Sequence, residues 1–201
     1  MRRRTVRKHE VTPDRGEVIV SGASGGVGSL AVALLAKLGY RVVASTGKPA
    51  AHELLHQLGA SEIIPREALD DRSGKALLSA RWAGGIDTVG GNTLGTILRS
   101  TRHSGCVTSV GLTGGNELNV TVYPFILRAI HLAGIDAAWC SLPLRHQTWA
   151  RLAGPWRLDN LAAIAQTIPL EAVPSRIDEI IAGRITGRVV VEIGGESVAH
   201  V

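Results

Sequence analysis

Seven consecutive residues constrain this chain more than any other stretch: Gly22-Ala23-Ser24-Gly25-Gly26-Val27-Gly28. They follow a short apolar run at 17–21 and open a segment at 27–38 whose apolar residues recur at helical spacing. A strand that feeds a helix through a glycine turn gathers free backbone N–H groups at one point, and the positive end of the helix dipole reinforces them. Such a point holds a pyrophosphate, so the turn predicts a bound dinucleotide. Gly25 and Gly26 leave room for phosphate against the backbone, and Gly28 lets the first helix approach the sheet. A phosphate-loop reading fails. It needs Gly-Lys before Ser or Thr, whereas Gly47-Lys48 precedes Pro49 and Gly74-Lys75 precedes Ala76.

The second apolar strand, at 40–44, ends where a dinucleotide-binding fold meets the adenine ribose. A site selective for NAD places Asp or Glu there to accept from the 2′-hydroxyl. Here the sequence reads Ser45-Thr46-Gly47-Lys48, with no acid before Glu53. Two hydroxyls and a cation suit a 2′-phosphate, so NADPH is the expected cofactor.

Beyond this point the chain alternates between strand and helix patterns. A helix is expected at 50–58, a strand at 62–64, a helix at 75–80 and a strand at 85–89. A helix to Ser100 follows, then a strand at 105–110, a helical turn at 124–128 and a strand at 130–137. This order predicts an α/β fold, a Rossmann-type doubly wound parallel sheet. In such sheets ligands sit at the carboxyl ends of strands. Besides the glycine turn and Ser45–Lys48 those ends are Val89-Gly90-Gly91, Val110-Gly111-Leu112 and Ile135-Asp136.

The last third changes character and predicts a C-terminal helix-strand appendage. Helices are expected at 144–152 and 158–165, and an extended piece at 168–173. A further helix at 175–182 carries a capping box of Ser175 and Asp178 and a terminating Gly183. The final strand, at 188–193, has no evident neighbour within the chain. The expected division is a basic, disordered tail at 1–12, an NADP-binding domain at 13–167 and a C-terminal segment at 168–201.

Composition excludes several functions. The net charge is +5, but Arg2, Arg3, Arg4, Arg7 and Lys8 against Glu10 supply four of those charges. The basic character belongs to the tail, and with aromatics at 3% no stacking surface for nucleic acid is expected. No apolar run spans a bilayer and no secretory leader follows the basic start, so a cytoplasmic protein without membrane association is expected. Cys106 and Cys140 are isolated and read as small buried residues. His52 and His56 lie one helical turn apart without a third ligand, so no metal is expected. Trp82, Trp139, Trp149 and Trp156 read as packing anchors. A short-chain dehydrogenase would need Tyr-x-x-x-Lys, whereas Tyr40 and Tyr123 are followed four residues later by Ala44 and Leu127. No Gly-x-Ser-x-Gly elbow occurs, and Asp87 reads as structural rather than as an acid or base.

Several longer segments carry a resemblance. They are Val18-Ile19-Val20-Ser21 running into the glycine turn, Leu34-Leu35-Ala36-Lys37-Leu38-Gly39-Tyr40, Leu58-Gly59-Ala60-Ser61-Glu62, Gly85-Ile86-Asp87-Thr88-Val89-Gly90, Pro124-Phe125-Ile126-Leu127-Arg128 and Gly187-Arg188-Val189-Val190-Val191. Together they resemble the medium-chain dehydrogenase/reductase superfamily, in its zinc-free acryloyl-CoA reductase or quinone oxidoreductase-like group, from about Thr12 onward.

The resemblance implies NADPH bound by Ser24, Gly25, Gly26, Val27 and Gly28, with Ser45, Thr46 and Lys48 at its 2′-phosphate. Gly90, Gly111 and Leu112 would lie beside the nicotinamide half, Ile135 and Asp136 on a strand near it, and Arg188 near the cofactor. It implies a homodimer formed through the strand from Ile130 to Ala137. It also implies hydride transfer to the activated C=C bond of a small-molecule substrate, an enoyl-CoA or a quinone-like compound. No catalytic residue is assigned. Members of this group begin with a separate catalytic domain, so the chain is expected to be a truncated member. An NADPH-binding and dimerisation module without catalysis is the alternative.

Overall fold

The structure, a computed structural model, describes residues 11–193. The basic tail expected at 1–12 therefore lies outside the described residues apart from Val11 and Thr12.

Six parallel strands form one sheet. In chain order they are β1 (Glu17–Val20), β2 (Arg41–Thr46), β3 (Glu62–Pro65), β4 (Trp82–Asp87), β5 (Thr101–Ser109) and β6 (His131–Gly134). Their spatial order is β3-β2-β1-β4-β5-β6. The reversal beside β1 is the topological switch point at which open α/β sheets bind ligands.

Alternation along the strands fills both faces. Val20, Val42 and Ala44 pack with Val32 and Ala33 of α1 (Gly26–Lys37) and Leu55 of α2 (His52–Gln57). Ile19, Val43 and Val107 turn the other way, onto Leu94, Ile97 and Leu98 of α3 (Gly91–Ser100). Ile19, Val20, Val42, Val43, Ile97 and Leu98 are wholly buried, each contributing roughly 1.5–3 kcal/mol of apolar transfer. The expected doubly wound Rossmann sheet is the observed one.

Four local expectations are corrected. Residues 75–80 are not helical. They form no regular element, because the side chains of Arg99 and Arg128 and the backbone at the end of α3 take their polar groups. Arg99 donates to the Lys75 carbonyl (3.0 Å), Arg128 to that of Leu78 (2.6 Å), and the Leu78 N–H bonds the Arg99 carbonyl (2.9 Å). The helix expected at 158–165 is confined to α6 (Leu161–Ile164). The capping box is absent: α7 (Val173–Ile181) begins earlier, its cap is Ala172, and the Ser175 hydroxyl donates to the Ala172 carbonyl (2.9 Å). Gly183 does end the helix, at φ +69°.

The fourth correction is topological. The final strand, β8 (Arg188–Glu192), does have a neighbour in the chain. It pairs in parallel with β7 (Ala165–Pro169), from Ala165 opposite Arg188 to Pro169 opposite Glu192. The extended piece expected at 168–173 lies three to four residues earlier than its apolar pattern suggested, and α7 makes the crossover between the two strands. Ile164, just before β7, is 5% exposed and packs into the same core as Val32 and Leu55, which fixes this unit to the main sheet. The 167/168 division falls inside β7. Between the two sheets, α4 (Tyr123–Arg128) precedes β6, and α5 (Leu142–Ala153) has no buried residue.

Trp82 is buried, with Arg81 over its ring at 4.3 Å. Trp139 and Trp149 are exposed and are not packing anchors. Cys106 and Cys140 are free thiols, each half-buried rather than fully buried.

Candidate coenzyme site at the switch point

The glycine turn leaves β1 at the switch point. Gly22 has φ +57°, and its carbonyl accepts the Gly25 N–H (3.0 Å). The turn is tied sideways to β2 by the Ala23 N–H donating to the Ser45 carbonyl (3.0 Å). Gly25 caps α1 in extended conformation. By helix geometry the N–H groups of Gly26, Val27 and Gly28 have no acceptor within the helix, so they face out of the turn together. At Gly28 the first turn of α1 presses on the backbone before it. A Cβ there would lie 2.3 Å from the Gly22 carbonyl oxygen and 2.7 Å from the Ala23 Cα.

At the end of β2, Ser45 and Thr46 are buried. The Thr46 hydroxyl donates to the Ser24 hydroxyl (2.8 Å) and accepts the Lys48 N–H (3.1 Å). These hydroxyls bind the glycine turn to β2, and Lys48 supplies the cation. Its ammonium donates to the Ile185 carbonyl, and partial burial lowers its pKa from the ordinary lysine value. A second cation lies beside it: Arg66, just after β3, packs against Gly47, its Cδ 2.8 Å from where a Cβ would stand. Sequence reasoning missed Arg66 because only the β2–β3 pairing brings it to Gly47.

Gly90, Gly111, Leu112, Ile135 and Asp136 come together farther along the carboxyl edge. They line a cleft of about 480 Å³ with Leu94, Asn116 and Glu117, between the ends of β4, β5 and β6. Leu112 and Ile135 are exposed in it, and Asp136 accepts the Trp139 N–H (3.1 Å). Arg188 lies elsewhere, across the glycine turn: its Cζ is 2.6 Å from where a Cβ on Gly26 would stand.

Asp87 joins the turn to the cleft. The side chain is fully buried at the end of β4. One carboxylate oxygen accepts the Ser21 hydroxyl (2.6 Å) and the Val89 N–H (3.4 Å), and the other accepts the Gly90 N–H (2.8 Å). Ser21 in turn accepts the Thr88 N–H (3.0 Å). The carboxylate thus sets both the exit of β1 and the entry to α3, a structural role as its strand position suggested. The position of Asp87 before Gly90 was the available signal for this role, while its bond to Ser21 was not legible.

Desolvation raises the Asp87 pKa above 3.8, against the opposing effect of the Ser21 and backbone hydrogen bonds. The folded state therefore holds this proton more tightly than the unfolded chain. The contribution to stability is full below pH 3.8 and is lost as pH rises through the folded value. Asp87→Asn removes this titration. The Tm of the variant minus that of the wild type should therefore increase as pH is raised from about 3 to about 7 in scanning calorimetry. A difference independent of pH would contradict the assignment.

Comparison with known proteins agrees with this geometry. Residues 26–152 carry the signature of the family described as zinc-binding dehydrogenase, and the chain belongs to that family. It is 45% identical to the putative quinone oxidoreductase YhfP of Bacillus subtilis (strain 168), over 91% of this chain and 56% of that protein. It is 43% identical to the probable acrylyl-CoA reductase AcuI of Escherichia coli (strain K12), again over 91% and 56%. The crystal structure of E. coli K-12 YhdH with bound NADPH superposes with a TM-score of 0.88 at 42% identity, over 92% of this chain and 57% of that one. YhfP, solved with NAD bound, superposes with a TM-score of 0.86. The chain spans about half the length of these relatives. Among the described residues no group of three or more His, Cys, Asp or Glu could hold a metal ion. His52 and His56 are both exposed on α2.

Proposed function

We propose that this chain is the coenzyme-binding part of a zinc-independent, NADPH-dependent reductase acting on the activated C=C bond of an enoyl thioester, such as acryloyl-CoA, or on a quinone-like substrate. The observation that carries the reading is the pairing of the glycine turn with Lys48 at the end of β2. The amides of Val27 and Gly28, which have no acceptor within α1, suit a pyrophosphate; that of Gly26 meets the Gly187 carbonyl in the Gly25–Gly187 bridge. The adjacent strand end offers Lys48 and Arg66 and no carboxylate before Glu53. The cradle fits a dinucleotide, because the space over Gly25 and Gly26 would be narrowed by any side chain. Ser24, Gly25, Gly26, Val27 and Gly28 would hold the pyrophosphate, assisted by Arg188. Lys48 would hold the 2′-phosphate, with Ser45 and Thr46 shaping the loop. Gly90, Gly111, Leu112, Ile135 and Asp136 would line the nicotinamide end. When bound, the nicotinamide supplies a hydride; the residues of this chain orient it and shield one side of it from water.

We read 13–167 as the NADP-binding domain and 168–201 as a segment that, in a longer protein, meets a catalytic domain. β6 lies at the sheet edge, with Leu132 and Ile135 exposed, which supports a homodimer through the strand between Ile130 and Ala137. No helix among the described residues is long and apolar enough to cross a membrane, and the two free thiols suit a cytoplasmic setting.

The test is titration with both coenzymes. NADPH should bind more tightly than NADH. Lys48→Ala should weaken NADPH by roughly 10- to 100-fold, the worth of one charge-assisted hydrogen bond, and leave NADH nearly unchanged. Equal affinity for the two coenzymes would refute the assignment. Consumption of NADPH with acryloyl-CoA separates a working reductase from a binding module.

A further inference from the structure

Residues 184–188 run from α7 into β8 and cross the coenzyme site. Three contacts fix them there. The Gly187 N–H donates to the Ser24 carbonyl at 2.8 Å, and Gly187 pairs with Gly25 as an isolated parallel bridge. The Ile185 carbonyl accepts from the Lys48 ammonium, and the Arg188 guanidinium covers Gly26. Ile185 and Lys48 are 137 residues apart.

The crossing is held from below as well. Gly187 has φ +70°, and a Cβ on it would lie 2.1 Å from the Ile164 carbonyl oxygen. Ile164 is itself buried in the core against α1 and α2. The strap therefore has one position relative to β2, set by core packing and by a residue that tolerates no side chain.

We propose that this strap positions Lys48, so that selectivity for a coenzyme bearing an adenosine 2′-phosphate is set partly by the backbone at Ile185 and Gly187, outside the main sheet. The inference rests on the reading that the 2′-phosphate lies at the end of β2. A lysine ammonium has three donors. The Ile185 carbonyl takes one and leaves two for phosphate oxygens. A free lysine in the loop would have to surrender rotamer freedom on binding. One already held against a carbonyl has surrendered it during folding, and the gain amounts to up to about tenfold in affinity. Gly187 and Ile185 act through Lys48 and are positioning residues.

The experiment is a double-mutant cycle in the full 201-residue chain, with Gly187→Ala, Lys48→Met and both together. The probes are NADPH, NADH and adenosine 2′,5′-bisphosphate. Gly187→Ala should weaken NADPH and the bisphosphate by about tenfold more than NADH, lowering the selectivity ratio by that factor. Lys48→Met should have much less effect on NADPH in the Gly187→Ala background than alone. Equal weakening of both coenzymes by Gly187→Ala, or effects that simply multiply, would overturn the strap's role while leaving the coenzyme assignment intact. A wild-type chain without preference for NADPH refutes that assignment, and the strap's role with it. Should Gly187→Ala fail to fold, hydrogen exchange of the wild type decides: the Gly187 amide should be protected further by the bisphosphate, and no change overturns the proposal.

Discussion

Gly28→Ala should abolish measurable coenzyme binding while leaving a folded sheet. The added methyl group would stand 2.3 Å from the Gly22 carbonyl oxygen. That oxygen is a backbone atom, as is the Ala23 Cα 2.7 Å away, so no side chain can swing aside. The first turn of α1 must lift from the end of β1, and the amides at 26–28 lose their common direction. Overpacking of this kind costs about 1–3 kcal/mol of stability. The loss in binding is larger, because two or more hydrogen bonds to a charged group go at once. At about 1.5–3 kcal/mol each, that is 100-fold or more in Kd. Calorimetric titration with NADPH checks it, alongside circular dichroism for the fold. A variant that binds within tenfold of the wild type would place the pyrophosphate elsewhere.

Arg99→Met should destabilise the protein more than any comparable change on the surface. Arg99 is 7% exposed near the end of α3. It reaches the Asp71 carboxylate at 2.7 Å, the Asp71 carbonyl at 2.9 Å and the Lys75 carbonyl at 3.0 Å. Methionine fills much of the volume and satisfies none of these acceptors. Asp71 keeps contact with solvent, so the loss is that of charge-assisted hydrogen bonds to backbone carbonyls, roughly 1.5–3 kcal/mol. For a chain of this size that corresponds to a fall in Tm of about 3–12 °C. Arg99→Lys keeps the charge without the planar fork and should fall between the two. Because Arg99 hydrogen-bonds to none of the residues of the glycine turn or of the cleft, coenzyme affinity at low temperature should change little. A Tm within about 2 °C of the wild type would mean that the segment at 70–80 is held by other contacts.

The same arginine shows where the sequence misleads. Residues 75–80, Lys-Ala-Leu-Leu-Ser-Ala, have good local helix propensity. Arg99 and Arg128, more than twenty residues later, take the carbonyl groups of Lys75 and Leu78. Propensity is worth tenths of a kcal/mol per residue, and charge-assisted bonds to otherwise unsatisfied carbonyls are worth more. The helix loses. Elsewhere the local signals agree with the fold: β1, β2 and α3 lie within a few residues of their apolar patterns, because burial on alternate faces enforces those patterns.

The candidate site divides along the same line. The glycine turn is contiguous, and its geometry follows from the steric demands of neighbouring residues. Lys48 was legible because β2 ends where any such sheet meets the ribose. Arg66, Asp87 with Ser21, and Ile185 with Lys48 were not legible, since each pair lies far apart in the chain and no periodicity reports which groups meet. The unexpected pairing of β8 has the same origin. A strand pattern states that a segment will be extended, but its partner, β7, is chosen by the packing of Ile164 and by the crossover that α7 makes.

Sequence alone determined the parallel alternation of strands and helices, the turn whose amides face outward, and the cation in place of a carboxylate at the end of β2. These are local matters of backbone sterics, burial periodicity and side-chain charge. The tertiary structure decided what closes over that turn, the strap at 184–188 with the buried carboxylate beneath it, and it decided that an arginine fork replaces a helix at 75–80. Those depend on groups brought together only when the core packs, and their energies exceed the local preferences they override.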